Sequence, residues 1–135
     1  ALKRVATGEP SRKANEAGRL LRNRLNGLFA AKGWPWVAYG DFSMVRAVPN
    51  YRGERPRTDA GDADGLIPYG GDLAALDGPK NPRQVHAMRQ GMLLHGVDWW
   101  GFAGMTSCEH TAADVDKTVQ AMAATIGLMQ AGGLG

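Results

Sequence analysis

His95-Gly-Val-Asp-Trp-Trp-Gly-Phe-Ala-Gly-Met-Thr-Ser-Cys-Glu-His110-Thr111 separates two stretches of helical periodicity, and the rest of the chain is arranged around it. Before it, Asn81 is a candidate N-cap, and Pro82 suits a first helical turn, where a missing N–H costs nothing. Val85, Met88, Met92 and Leu93 follow at three- and four-residue spacing, one face of a helix predicted over 82–95. Gly96 can take the left-handed conformation that closes it. After the stretch, Thr111 and Asp114 form a Thr-x-x-Asp capping box, and Asp114 and Asp116 put negative charge where the helix dipole favours it. Val115, Val119, Met122, Ile126 and Met129 make an apolar stripe that must be buried, predicting a helix over 112–130 that ends at Gly132 and Gly133. Between the helices, 97–107 is aromatic and branched and reads as strand, with Gly101 and Gly104 marking a turn or bulge inside it.

The N-terminal half has the same character. Residues 9–32 predict a long helix whose stripe is Ala14, Ala17, Leu21, Leu25 and Leu28, widened by Leu20 and Phe29. Arg12, Arg19 and Arg22 are expected to point away from that stripe. Gly33 ends the helix. Residues 36–48 are the first strand region, with Gly40 as a bulge or a place of close backbone approach. Residues 50–80 are rich in Gly, Pro, Asp and Arg and read as one long irregular loop, in which Leu66 to Tyr69 is the apolar anchor. Ala1 to Ala6 looks helical without a cap before it, so the chain is expected to be a piece of a longer one.

With 135 residues, 44% of them apolar and 21% charged, the composition is that of one globular domain with a core. No run of about 18 apolar residues exists, so no membrane span is expected. The opening residues have no apolar core region, so no signal peptide is expected. A single cysteine excludes an internal disulfide and fits a reducing, cytoplasmic compartment. The net charge of +3 is unevenly placed, with eight Lys/Arg against two Glu in residues 1–32. That basic helix reads as a solvated face, with a free-standing binding module as the alternative use. No aromatic residue interleaves with its charges before Phe29, so nucleic acid is not the expected partner.

Candidates for chemistry are few. Cys108 and His110 would share a face on a strand, as a nucleophile and base must, but no third group orients them. The reading preferred for them is a buried structural cysteine and a histidine near a helix cap. Cys108, His86, His95 and His110 lack paired ligand spacing for a metal. Trp99, Trp100 and Phe102 form an aromatic cluster, most simply a core.

The string Leu93-Leu94-His95-Gly96-Val97, then Ser107, then His110-Thr111-x-x-Asp114-Val115-Asp116-x-Thr118 resembles the C-terminal end of class III pyridoxal-phosphate (PLP) aminotransferases. Within them it is similar to the glutamate-1-semialdehyde 2,1-aminomutase group. Gly40-Asp41-Phe42-Ser43-Met44 is similar to the Gly-x-Gly-Ser-Met strand of that group. The resemblance implies an α+β fold, a two-layer sandwich in which helices cover one face of a small antiparallel sheet of three or four strands. This is the small domain of fold-type I PLP enzymes, here residues 1–135. It also implies a large PLP-binding domain in cis, a homodimeric parent, and a role as the lid side of the substrate pocket. Ser43, Trp100 and Phe102 are then the substrate-pocket candidates. The aminomutase group carries a Glu where this chain has Phe102, and Phe cannot replace a carboxylate near an amino group. That favours an aminotransferase of other specificity. Lys3, Lys13, Lys32, Lys80 and Lys117 are the only lysines, and none lies in the family's Schiff-base segment. Neither a catalytic residue nor a cofactor or metal ligand is therefore expected here, and the chain by itself is expected to be inactive without bound PLP.

Overall fold

The computed structural model describes residues 2–55 and 67–135. In chain order its elements are α1 (Leu2–Ala6), α2 (Glu9–Lys32), β1 (Trp36–Tyr39), β2 (Met44–Pro49), α3 (Leu73–Asp77), α4 (Pro82–Leu94), β3 (Ala103–Met105) and α5 (Ala112–Ala131). The fold is α+β. Its sheet is three-stranded and antiparallel in the order β1-β2-β3.

Capping chemistry places the helices where the sequence puts them. Asn81 Oδ1 accepts from Arg83 N–H at 3.0 Å. Thr111 and Asp114 bond reciprocally, with Asp114 Oδ2 2.7 Å from Thr111 N. Ala17, Leu21, Leu25 and Phe29 of α2 are buried, as are Val115, Met122, Ile126 and Met129 of α5. Met88 and Met92 complete the core from α4, whereas Leu93 turns out to solvent.

The first strand region is a hairpin of β1 and β2. Its register pairs Val37 with Val48 and Tyr39 with Arg46. The chain reverses through Gly40–Ser43. A side chain at Gly40, whose φ is 141°, would collide with the Met44 carbonyl, so the glycine reading holds as a close approach. Pairs across an antiparallel sheet share a face. Trp36, Ala38, Val45 and Ala47 therefore share the face toward α2, where the Trp36 ring lies 6.1 Å from Phe29. On the other face Val37 and Val48 are buried, but the pair Met44 and Met105 at the far end is exposed.

Two polar side chains of α2 hold the sheet in place. Asn26 is 3% exposed, and its amide satisfies both backbone groups of Ala38, accepting from N–H and donating to the carbonyl at 2.8 Å each. Among the described residues Ala38 is on an edge strand, so Asn26 takes the hydrogen-bonding place that a further strand would fill. Arg55 caps the same edge, donating from Nε to the Trp36 carbonyl at 2.8 Å. Arg22 does not point away as its position suggested. It is 7% exposed and donates to the carbonyls of Phe42 and Met44, both at 2.8 Å. The expectation failed because the helical stripe marks apolar neighbours, and Arg22 is buried against carbonyls.

The long loop expected over 50–80 is partly helical. Asp72 Oδ1 caps α3 by accepting from Ala74 N–H at 2.9 Å. An irregular turn at Pro68–Gly71 precedes it. Residues 56–66, including Leu66 of the expected anchor, lie outside the described residues.

Candidate functional site

The β1–β2 loop is a presented surface. Phe42 sits in it at φ 52°, a left-handed conformation that side chains rarely adopt, and is 71% exposed. Arg22 holds its carbonyl, and Thr106 holds the next one: the Ser43 carbonyl accepts from Thr106 N–H at 3.0 Å. Thr106 Oγ1 also reaches the Ala14 carbonyl of α2 at 2.7 Å. Gly18 makes the approach possible, because a Cβ there would stand 2.5 Å from the Phe42 oxygen.

The second strand region is mostly turn. Trp100 N–H donates to the Ala103 carbonyl at 2.8 Å and Ala103 N–H to the Trp100 carbonyl at 3.0 Å, a two-residue hairpin tip around Gly101 and Phe102. Gly101 has φ 59°, the sign that the first position of such a turn requires. Regular strand is therefore confined to Ala103–Met105, shorter than the predicted 97–107. The aromatic cluster divides accordingly. Trp99 is buried against Gly104, Phe102 packs edge-on to Trp36 with centroids 5.8 Å apart, and Trp100 is 62% exposed.

Ser43, Trp100 and Phe102 do not converge on one point. Ser43 stands opposite Thr106 and Phe102 opposite Ala47, four residues along β2. At roughly 3.3 Å per residue that separates them by about 13 Å. Trp100 and Phe102 share the hairpin tip, and half-buried Ser43 lies at the other end beside Phe42. Phe102 lines a cavity of about 360 Å³ with Tyr39, Val48, Tyr69, Lys80 and Gln84.

Cys108 and His110 do not pair. They lie in a turn, not a strand, where the thiol donates to Glu109 Oε1 at 3.5 Å. His110 Nδ1 accepts the Ser107 N–H at 2.8 Å and lies 3.0 Å from Ser107 Oγ, which fixes the ring at the start of α5. Among the described residues no group of three or more His, Cys, Asp or Glu could hold a metal. No helix there is long and apolar enough to cross a membrane.

The basic helix is largely committed to partners. Arg12 pairs with Glu16 at 2.7 Å, Lys13 with Glu9 at 2.9 Å, and Arg24 with Asp116 of α5. Arg22 is held as well, by the carbonyls of Phe42 and Met44.

PLP needs a sequestered lysine and a carboxylate facing its ring nitrogen. Lys3, Lys13, Lys32 and Lys117 are exposed. Lys80 is half-buried, but no Asp or Glu lines its cavity. The residues described do not fit a resident PLP, and no chemical step is assigned to them.

No family model and no curated protein matches the sequence. Solved structures do match. An omega-transaminase from Sphaerobacter thermophilus covers 86% of this chain with a TM-score of 0.60 and 15% identity. A beta-phenylalanine aminotransferase from Variovorax paradoxus covers 87% with a TM-score of 0.61 and 26% identity. The chain is built like one segment of an aminotransferase. It spans 23% and 24% of the length of those two enzymes.

Proposed function

We propose that this chain is the small domain of a class III, PLP-dependent aminotransferase and forms one wall of its substrate pocket. The observation that carries the reading is the pair of structural matches, which use nearly all of this chain but under a quarter of each aminotransferase. The site supports it: the chain offers a clamped hairpin loop with exposed Phe42 and a rigid tip with exposed Trp100.

In this reading a large domain in cis supplies the Schiff-base lysine and the phosphate site, and PLP supplies the electron sink for amino transfer. The role left to the present residues is positioning. Arg22 and Thr106 hold the Ser43 loop, while Trp99 and Trp36 back the Trp100–Phe102 tip, so both surfaces meet substrate preorganised. Phe102 offers substrate an apolar ring in place of a carboxylate, which supports transamination over semialdehyde mutation. A cytoplasmic homodimer completes the proposal.

The test is expression of the reading frame extended upstream of Ala1. The extended protein should bind PLP and transfer an amino group to an oxo acid, and the 135-residue chain should do neither. An extended protein without PLP binding would end the proposal.

A further inference from the structure

The cavity of about 360 Å³ beside Phe102 is lined by β1, β2, α3, the start of α4 and the turns that join them. Val48, Pro49, Leu76 and Phe102 are among its apolar lining residues. Its volume lies at the lower end of the roughly 300–1,000 Å³ used by small-ligand sites. Among the described residues that line it, Lys80 carries the one formal charge. Lys80 Nζ donates to the Leu76 carbonyl at 2.8 Å, which leaves two N–H donors for another acceptor. Gln84 is 8% exposed, and its Nε2 donates to the Leu134 carbonyl at 2.8 Å. Its Oε1 has no donor among the described residues.

Backbone strain gathers at the same place. Asn50 at φ 62° and Tyr69 at φ 58° both line the cavity, two of the three non-glycine left-handed residues described. Such residues persist where surrounding structure enforces them, often at ligand clamps. The Tyr69 ring is held by an edge-on contact with Tyr51, centroids 5.2 Å apart.

We propose that this cavity binds a small monocarboxylate with an aromatic or branched apolar body. Lys80 meets the carboxylate, Phe102 and Val48 take the apolar body, and Gln84 Oε1 accepts from any hydroxyl or amino group the ligand carries. Among the described lining residues one ammonium stands in an otherwise uncharged wall and matches one negative charge, which favours a monocarboxylate over a phosphate. The proposal shares Phe102 with the aminotransferase reading but invokes neither a cofactor nor a residue outside this chain, so it can fail or hold separately from that reading.

The test is a ¹⁵N NMR titration of the 135-residue chain with phenylacetate, without cofactor. Saturable shifts are expected at the amides of Asn50, Tyr69, Lys80 and Gln84. Lys80→Gln should weaken binding about fivefold, as loss of a half-exposed charge-assisted contact implies. Ala75→Trp, which fills the cavity from α3, should abolish binding while the rest of the spectrum is unchanged. Phenethylamine, of similar size and opposite charge, should not shift these amides. Unshifted amides with phenylacetate, equal binding of phenethylamine, or full binding by Ala75→Trp would each overturn the proposal. If Lys80→Gln fails to fold, the charge control and Ala75→Trp decide it.

Discussion

Replacing Asn26 by Leu removes the side chain that pairs with both backbone groups of Ala38 on the free edge of β1. Asn26 and Leu are of similar size, so the change leaves shape nearly intact and deletes only hydrogen bonds. Both the N–H and the carbonyl of Ala38 then lose their 2.8 Å partners. Ala38 is fully buried, so water cannot replace them without opening the structure. An orphaned buried polar group costs about 1–3 kcal/mol, so two cost about 2–6 kcal/mol. Burying a leucine in place of an amide returns about 1–2 kcal/mol. The expected net loss is about 3 kcal/mol, a large part of the roughly 5–15 kcal/mol that holds a domain together. With a urea slope of about 2 kcal/mol/M, the denaturation midpoint should fall by about 1.5 M. Asn26→Asp keeps the acceptor for Ala38 N–H but sets a carboxylate against the Ala38 carbonyl. It should be destabilised at neutral pH and recover in part as acid protonates the new carboxyl. An Asn26→Leu midpoint within 0.25 M of the parent would refute the edge-closing role.

Gly18→Ala should destabilise by about 1–3 kcal/mol in thermal melts, because its Cβ would press on the Phe42 carbonyl; this reverses the usual gain of about 1 kcal/mol for that change in a helix. Hydrogen bonds from the Thr111 backbone and hydroxyl hold the Asp114 carboxyl below its usual range of ionisation. A depressed carboxyl stabilises above its unfolded value, near 3.8, and that contribution is lost as pH falls through the folded value. Amide protection factors at the start of α5, corrected for intrinsic exchange, should therefore fall below about pH 4, and Asp114→Asn should lower them at neutral pH and remove that pH dependence. Thr125 Oγ1 is buried without a partner among the described residues, so Thr125→Val should be neutral or stabilise by about 1 kcal/mol in urea titrations; a loss of that size would show that the hydroxyl is satisfied.

Helices were legible wherever the chain carries its own punctuation. Asn81-Pro82, Gly96, Thr111-x-x-Asp114 and Gly33 each act locally, so boundaries of α2, α4 and α5 fall within a residue or so of their expected places. The strands were less legible. Residues 36–48 were expected as one region because Phe42, in the reversing loop, has no turn propensity; its left-handed backbone is imposed by Arg22 and Gly18 from α2. Helix α3 is five residues long, too short to show a period, and its one signal was Asp72 as a cap. The structural roles of Arg22 and Asn26 were not legible. Each satisfies backbone groups of the hairpin, and no spacing within α2 reports that. The pocket candidates came from resemblance, and the structure places Ser43 apart from Trp100 and Phe102 because the β2–β3 ladder runs between them.

The reading as one wall of an aminotransferase is tested most directly by the visible absorbance of PLP. The measurement compares the 135-residue chain with the same chain extended upstream, each dialysed against PLP and then freed of excess. An absorbance band near that of enzyme-bound PLP is expected in the extended protein only, with loss of the band on borohydride treatment and a label on a lysine upstream of Ala1. A retained band and a labelled lysine within the 135 residues would contradict it.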